Sequence, residues 1–143
     1  MKKLLIIFCV VSTLFSCDIR NQKNHLAVSG NSAPQFDDST SVVMLDSAYD
    51  FGKITEGEKV TFNYRFKNTG EHPLVVASAV ASCGCTVPEK PEEPIQPGAT
   101  GMLKVVFNSE GKPGPAHKTI RVVSNAYPSF PTLLLTGIVN GKN

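Results

Sequence analysis

Lys59-Val60-Thr61-Phe62-Asn63-Tyr64-Arg65-Phe66-Lys67 alternates without a break. Val60, Phe62, Tyr64 and Phe66 point one way; Lys59, Thr61, Asn63, Arg65 and Lys67 point the other. Successive side chains of a strand project to opposite faces, so a period of two marks a strand with one face on a core.

The segments on either side continue the pattern of strand and turn. Asn68-Thr69-Gly70-Glu71 is a turn cluster. Leu74 to Ala81 is the next strand, small or β-branched after Leu74. Pro88 to Ala99 holds four prolines and reads as a surface loop. Met102 to Phe107 sets Leu103, Val105 and Phe107 on one face. Gly111-Lys112-Pro113-Gly114-Pro115 reads as a turn. Lys118 to Ser124 alternates again around Ile120 and Val122, and Asn125 to Pro131 turns. Thr132 to Val139 closes the series, its Leu133-Leu134-Leu135 run suggesting burial on both faces or a sheet centre. Upstream lie Val42-Val43-Met44-Leu45 and Tyr49-Asp50-Phe51-Gly52. About seven strands with regular turn signals and no amphipathic helix predict an all-β fold. The expected architecture is a seven-stranded antiparallel immunoglobulin-like sandwich over residues 42–143, with a small barrel as the fallback.

Composition bounds the rest. The chain has 143 residues, 41% hydrophobic and 18% charged, with four cysteines and no Trp. Its mean hydropathy of -0.03 is that of a globular chain. This length excludes a large multi-domain enzyme. The balanced charge argues against nucleic-acid binding, which calls for basic clusters. Without Trp there is no immunoglobulin core built on that residue.

The first sixteen residues read as a targeting segment. Lys2 and Lys3 precede a run from Leu4 to Phe15 that is apolar but for Ser12 and Thr13. As a helix those residues would cover roughly 18 Å, too short for a hydrocarbon core of about 30 Å and typical of a secretory leader. The run ends Leu14-Phe15-Ser16-Cys17, which resembles a bacterial lipobox, although Phe15 departs from the small residues usual at its position. Such a signal implies thioether-linked diacylglycerol on Cys17 and cleavage before it, leaving acyl chains that hold the protein on a membrane. The expected location is the bacterial cell envelope, lipid-anchored, facing the periplasm or the cell surface. Loss of residues 1–16 removes Cys9, Lys2 and Lys3, so the charge falls from +2 to zero. Residues 17–41 then form the lipidated N-terminus and a polar tether without period. Its flexible part, from Asp18, would reach roughly 25–30 Å as a coil.

Several short motifs occur together in the strand-rich region. They are Asp50-Phe51-Gly52-Lys53-Ile54 with Gly57-Glu58, Phe66-Lys67-Asn68-Thr69-Gly70 with Pro73-Leu74, and Ser82-Cys83-Gly84-Cys85-Thr86 with Pro88. Ile95-Gln96-Pro97-Gly98, Gly111-Lys112-Pro113-Gly114, Ser124-Asn125-Ala126 and Leu135-Thr136-Gly137 follow. In this combination the chain is similar to bacterial domain-of-unknown-function family 1573 and, more distantly, to Hydin and ASPM-type immunoglobulin-like domains. The resemblance implies an immunoglobulin-like fold, often in a secreted or lipid-anchored protein, and implies no catalytic activity.

Cys83-Gly84-Cys85 is the main chemical constellation. In a strand the two cysteines would share a face with Cα atoms about 6.6 Å apart, and Gly84 allows a tighter turn. Three readings stand side by side. The pair shapes a turn, closed or reduced; it is a labile pair for thiol exchange; or it holds Cu(I) or Zn(II). A structural zinc site needs four ligands, and His25, His72 and His117 are the histidines that could add to the two thiolates. His25 lies in the tether; His72 and His117 fall at turns and read as solvated. Nucleophilic catalysis would need a neighbouring His as base. Glu89, Glu92 and Glu93 read as a solvated loop face rather than catalytic carboxylates. The leading expectation is a membrane-anchored binding or assembly module with an unidentified protein partner, no cofactor and no catalysis. The alternative is an envelope protein for thiol redox or soft-metal chemistry at Cys83 and Cys85.

Overall fold

The computed structural model describes residues 38–142. The leader over residues 1–16, Cys17, His25 and the tether up to residue 37 lie outside them. The strands are β1 (Val42–Met44), β2 (Ala48–Thr55), β3 (Lys59–Asn68), β4 (Val76–Ala81), β5 (Thr86–Glu89), β6 (Thr100–Asn108), β7 (Gly114–Ser124) and β8 (Leu133–Asn140). They form two four-stranded sheets, ordered β1-β3-β6-β5 and β2-β8-β7-β4. The all-β sandwich is as expected, with eight strands rather than seven.

The differences have local causes. The added strand is β5, at the start of the Pro-rich segment expected as loop. Proline cannot donate to a ladder and is confined to edges; Pro88 sits on β5, which is an edge strand. Gly114 and Pro115, expected in a turn, are the first residues of β7 and pair with Val139 and Ile138. Pro115 is the second residue of β7, where the strand pairs with β8 but not yet with β4, so its missing N–H costs no ladder bond on the open side. The pairing is also not wholly antiparallel: β2 runs parallel to β8, with a register shift between Asp50 and Lys53. Because β1 and β3 belong to one sheet and β2 to the other, the chain crosses the sandwich twice in this region.

The alternation of β3 builds the core as read. Tyr64 and Phe66 are fully buried and Val60 and Phe62 pack against them. Tyr64 lies opposite Leu103 on β6, and Phe66 lies opposite Gly101. A side chain at Gly101 would collide with the Phe66 ring. From the second sheet come Ile120, Val122, Leu133, Leu135 and Val139. Burial of each large apolar side chain contributes about 1.5–3 kcal/mol. Leu133 and Leu135 are buried and Leu134 half-buried on β8, an interior strand. Phe66 meets Phe130 edge to face at 5.1 Å, and Tyr49 stacks on Phe62 at 3.9 Å. The Tyr64 hydroxyl donates to the Leu134 carbonyl at 2.6 Å, joining the sheets. Its burial pushes the phenol pKa up to about 12.

Buried polar side chains fasten the two ends of the sandwich. At the Asn68 end of β3, the Asn68 amide donates to the His72 and Ile95 carbonyls at 2.8 and 2.9 Å. Its oxygen accepts from the Thr40 hydroxyl and the Gly70 N–H. Asn125 likewise donates to Asp38 and Pro73 carbonyls and accepts from the Val75 N–H. Thr40 is buried there and bridges Ala126, so the fold extends back across Ser41. At the Lys59 end, Ser109 accepts from the Gly57 N–H and donates to the Glu58 carbonyl at 2.7 Å. The turn carrying Cys83 and Cys85 lies at this second end, where the Asn108 N–H donates to the Cys85 carbonyl at 2.9 Å.

Candidate functional site

Cys83 and Cys85 are joined as a disulfide with their Cα atoms 5.3 Å apart. They sit in the turn from β4 to β5. The Thr86 N–H donates to the Cys83 carbonyl at 3.2 Å, closing a four-residue turn around Gly84. On the near side, the Ser82 N–H donates to the Thr119 carbonyl at 2.9 Å, and the Ser82 hydroxyl accepts from the Thr119 N–H at 3.1 Å. On the far side Asn108 holds the Cys85 carbonyl. The turn is therefore held by hydrogen bonds on both flanks in addition to the sulfur bridge. A bridge closing so short a loop contributes only about 1.5 kcal/mol by chain entropy, against about 3 kcal/mol for a fifteen-residue loop.

The disulfide opens onto a cleft of about 580 Å³ whose lining includes Lys59, Val87, Val106, Asn108, Glu110 and Lys112. Both cysteines are half-buried and Gly84 between them is exposed. Glu110 is engaged by Lys142 at 3.2 Å. Among the described residues neither Lys59 nor Lys112 forms an ion pair. Thr86 is buried at 3% exposure, and its hydroxyl lies 3.5 Å from the Cys83 sulfur and 4.0 Å from the Cys85 sulfur.

The other sequence candidates lie apart from this cleft. His72 borders a depression with Thr40, Glu71 and Tyr127 at the Asn68 end. His117 lies on β7 rather than at a turn, beside Asp50 and Gly52. Glu89 forms a surface ion pair with Lys104 at 3.0 Å, and Glu92 and Glu93 are exposed. Among the described residues no cluster of three or more His, Cys, Asp or Glu is placed to hold a metal ion. Away from the cleft, the Arg65 guanidinium bonds Asp46 in bidentate fashion, which holds the Asp46 carboxyl below its ordinary range.

Sequence reasoning did not single out the sheet edges individually, and these distinguish themselves in the structure. β1 is three residues long. β5 carries Pro88. β2 is bulged between Asp50 and Lys53, and the Asp50 carboxylate accepts from the Gly52 N–H. Short length, proline, bulges and charge are the devices that stop an edge from recruiting another strand. β4, Val76-Ala77-Ser78-Ala79-Val80-Ala81, has neither proline nor charge. Its register shift falls at Val76/Ser78, leaving Ser78 to Ala81 in step with β7. Val80 is 63% exposed, and a groove beside it is lined by Ala81, Ser82, Thr119, Arg121 and Thr132.

Known structures share this sandwich. A protein of unknown function from Porphyromonas gingivalis W83 superposes with a TM-score of 0.57 at 18% identity, over 71% of this chain and 47% of that one. This chain thus spans about half the length of that protein. The secreted serine protease VesC from Vibrio cholerae gives 0.51 at 12% identity, over 70% of this chain and 23% of its own. The ASH / PapD-like domain of human CEP192 (PapD-like domain 7) gives 0.50 at 12% identity, over 83% of this chain and 99% of that domain. At these identities the likeness is one of fold, and it is to a PapD-like, immunoglobulin-type sandwich. No curated protein matches the chain. The family model described as protein of unknown function (DUF1573) matches residues 42–139, the whole sandwich from β1 through nearly all of β8, and the chain belongs to that family.

Proposed function

We propose that this protein is a lipid-anchored extracytoplasmic binding module that takes up an extended segment of a partner protein along β4 and performs no catalytic step in doing so. The single observation that carries the reading is the contrast among the four sheet edges. Three are blunted by shortness, proline or a charged bulge; β4 is bulged only at its Val76 end, and its Ser78–Ala81 stretch carries neither proline nor charge. An extended peptide laid along Ser78–Ala81 would gain main-chain hydrogen bonds, the usual source of affinity in strand addition. Its outward side chains would lie beside Ser78 and Val80, so an apolar residue opposite Val80 fits best. The lipobox-like Leu14-Phe15-Ser16-Cys17 supports the anchor, and the polar stretch after it supports a tether.

The test is a photo-crosslinking amino acid placed at position 80 on β4, with position 53 on β2 as control, in cells of the native host. The expected result is one adduct of defined mass at position 80, absent at position 53 and lost when Ser78→Lys puts a charge on the edge. Equal labelling at both positions, no adduct at 80, or an adduct indifferent to Ser78→Lys overturns the proposal.

A further inference from the structure

Motifs throughout the sandwich have structural work to do. Asn68 and Asn125 fasten one end, Gly57 meets Ser109 at the other, Gly137 receives Phe51, and Ile95 bridges Leu74. Ser82-Cys83-Gly84-Cys85-Thr86 differs, because its turn is already held by backbone bonds on both flanks. The sulfur bridge fixes little that those bonds do not, so reduction can leave the turn in place. A pair that keeps one backbone in both redox states is preorganised for reversible exchange.

We propose that Cys83–Cys85 is a thiol–disulfide exchange site that oxidises a dithiol presented to the cleft by a protein substrate. Both half-buried cysteines line the cleft, which is large enough for a cysteine side chain. Lys59 and Lys112 line it without an ion-pair partner among the described residues, so they favour the thiolates that exchange requires. The Thr86 hydroxyl, nearer the Cys83 sulfur, can donate to that sulfur as it leaves. A substrate thiolate attacks the Cys85 sulfur; the S–S bond breaks and its electron pair departs on Cys83. The second substrate thiol loses its proton to water and attacks the substrate sulfur of the mixed disulfide, releasing Cys85 as thiolate. Both protein thiolates then take up protons from water. Two electrons and two protons have passed from the dithiol to the pair, and the substrate leaves as a disulfide. The cysteine turn follows β4 directly, but exchange is read on the sulfurs and strand addition by crosslinking at position 80, so failure of either proposal leaves the other standing.

The test uses full-length protein in detergent, dithiothreitol as the dithiol, and mass analysis of the alkylated peptide containing both cysteines. The pair is expected to be reduced under native conditions with an unchanged circular dichroism spectrum. Lys59→Ala with Lys112→Ala, or Thr86→Val alone, should slow exchange about three- to tenfold. The Arg counterparts at 59 and 112 should restore the rate. A brief pulse of reduced glutathione followed by N-ethylmaleimide should leave glutathione on Cys85 and maleimide on Cys83. A pair reducible only after unfolding, a rate indifferent to the lysines and Thr86, or glutathione on Cys83 overturns the proposal.

Discussion

The hydroxyl of Tyr64 on β3 and the carbonyl of Leu134 on β8 meet at 2.6 Å, a direct hydrogen bond from one sheet to the other. Tyr64→Phe keeps the ring packing and removes that bond. The expected loss is about 1–2 kcal/mol in urea unfolding. The phenol is neutral when protonated and its folded pKa is raised from 10.0 to about 12, so the folded state holds this proton more tightly than the unfolded chain does. That contribution is fully present below pH 10 and is lost between pH 10 and 12. Wild-type stability should therefore fall across that window, and Tyr64→Phe should abolish this part of the fall.

Asn68 is fully buried with four polar partners: Thr40, Gly70, His72 and Ile95. Asn68→Ala leaves several of them desolvated and unpaired, at about 3 kcal/mol in all. Chemical denaturation should show this loss, with earlier hydrogen exchange at Gly70.

Gly137 on β8 lies under the Phe51 ring, where an added Cβ would collide with it. Gly137→Ala should cost about 1–3 kcal/mol. In a Phe51→Ala background the same change should cost markedly less, which a double-mutant cycle measures.

Cys83→Ser together with Cys85→Ser removes a bridge across a very short loop and leaves the hydrogen bonds of the turn. The stability loss should not exceed about 1.5 kcal/mol. A much larger loss in denaturant titration would make the pair a structural staple.

Cys17→Ser removes the proposed acyl acceptor. The protein should then move from the detergent phase to the aqueous phase in a two-phase partition, while the wild type stays with detergent.

Much of the sandwich was legible in the sequence because one face of each long strand is buried and the other solvated. β3 and β6 alternate cleanly, and the triple leucine of β8 marks an interior strand. The parallel pairing of β2 with β8 was not legible, because it depends on where the chain crosses between sheets rather than on any local period. β5 was hidden by Pro88, which an edge strand tolerates, and by the prolines that follow it. At the candidate site the sequence supplied the cysteine pair but not its surroundings. Lys59, Asn108 and Lys112 reach the cleft from β3, β6 and the following loop, contacts that close over long sequence separations. The exposure of β4 was equally invisible, since an edge is defined by which neighbour is missing.

Thr40, where the described chain enters the sandwich, lies beside Asn68, while the cysteine turn lies beyond Lys59 at the opposite end of the same strand. A strand of this length spans about 30 Å. The point where the chain enters and the cysteine cleft therefore sit a strand length apart, so attachment through the N-terminal side of the sandwich would leave the cleft unobstructed.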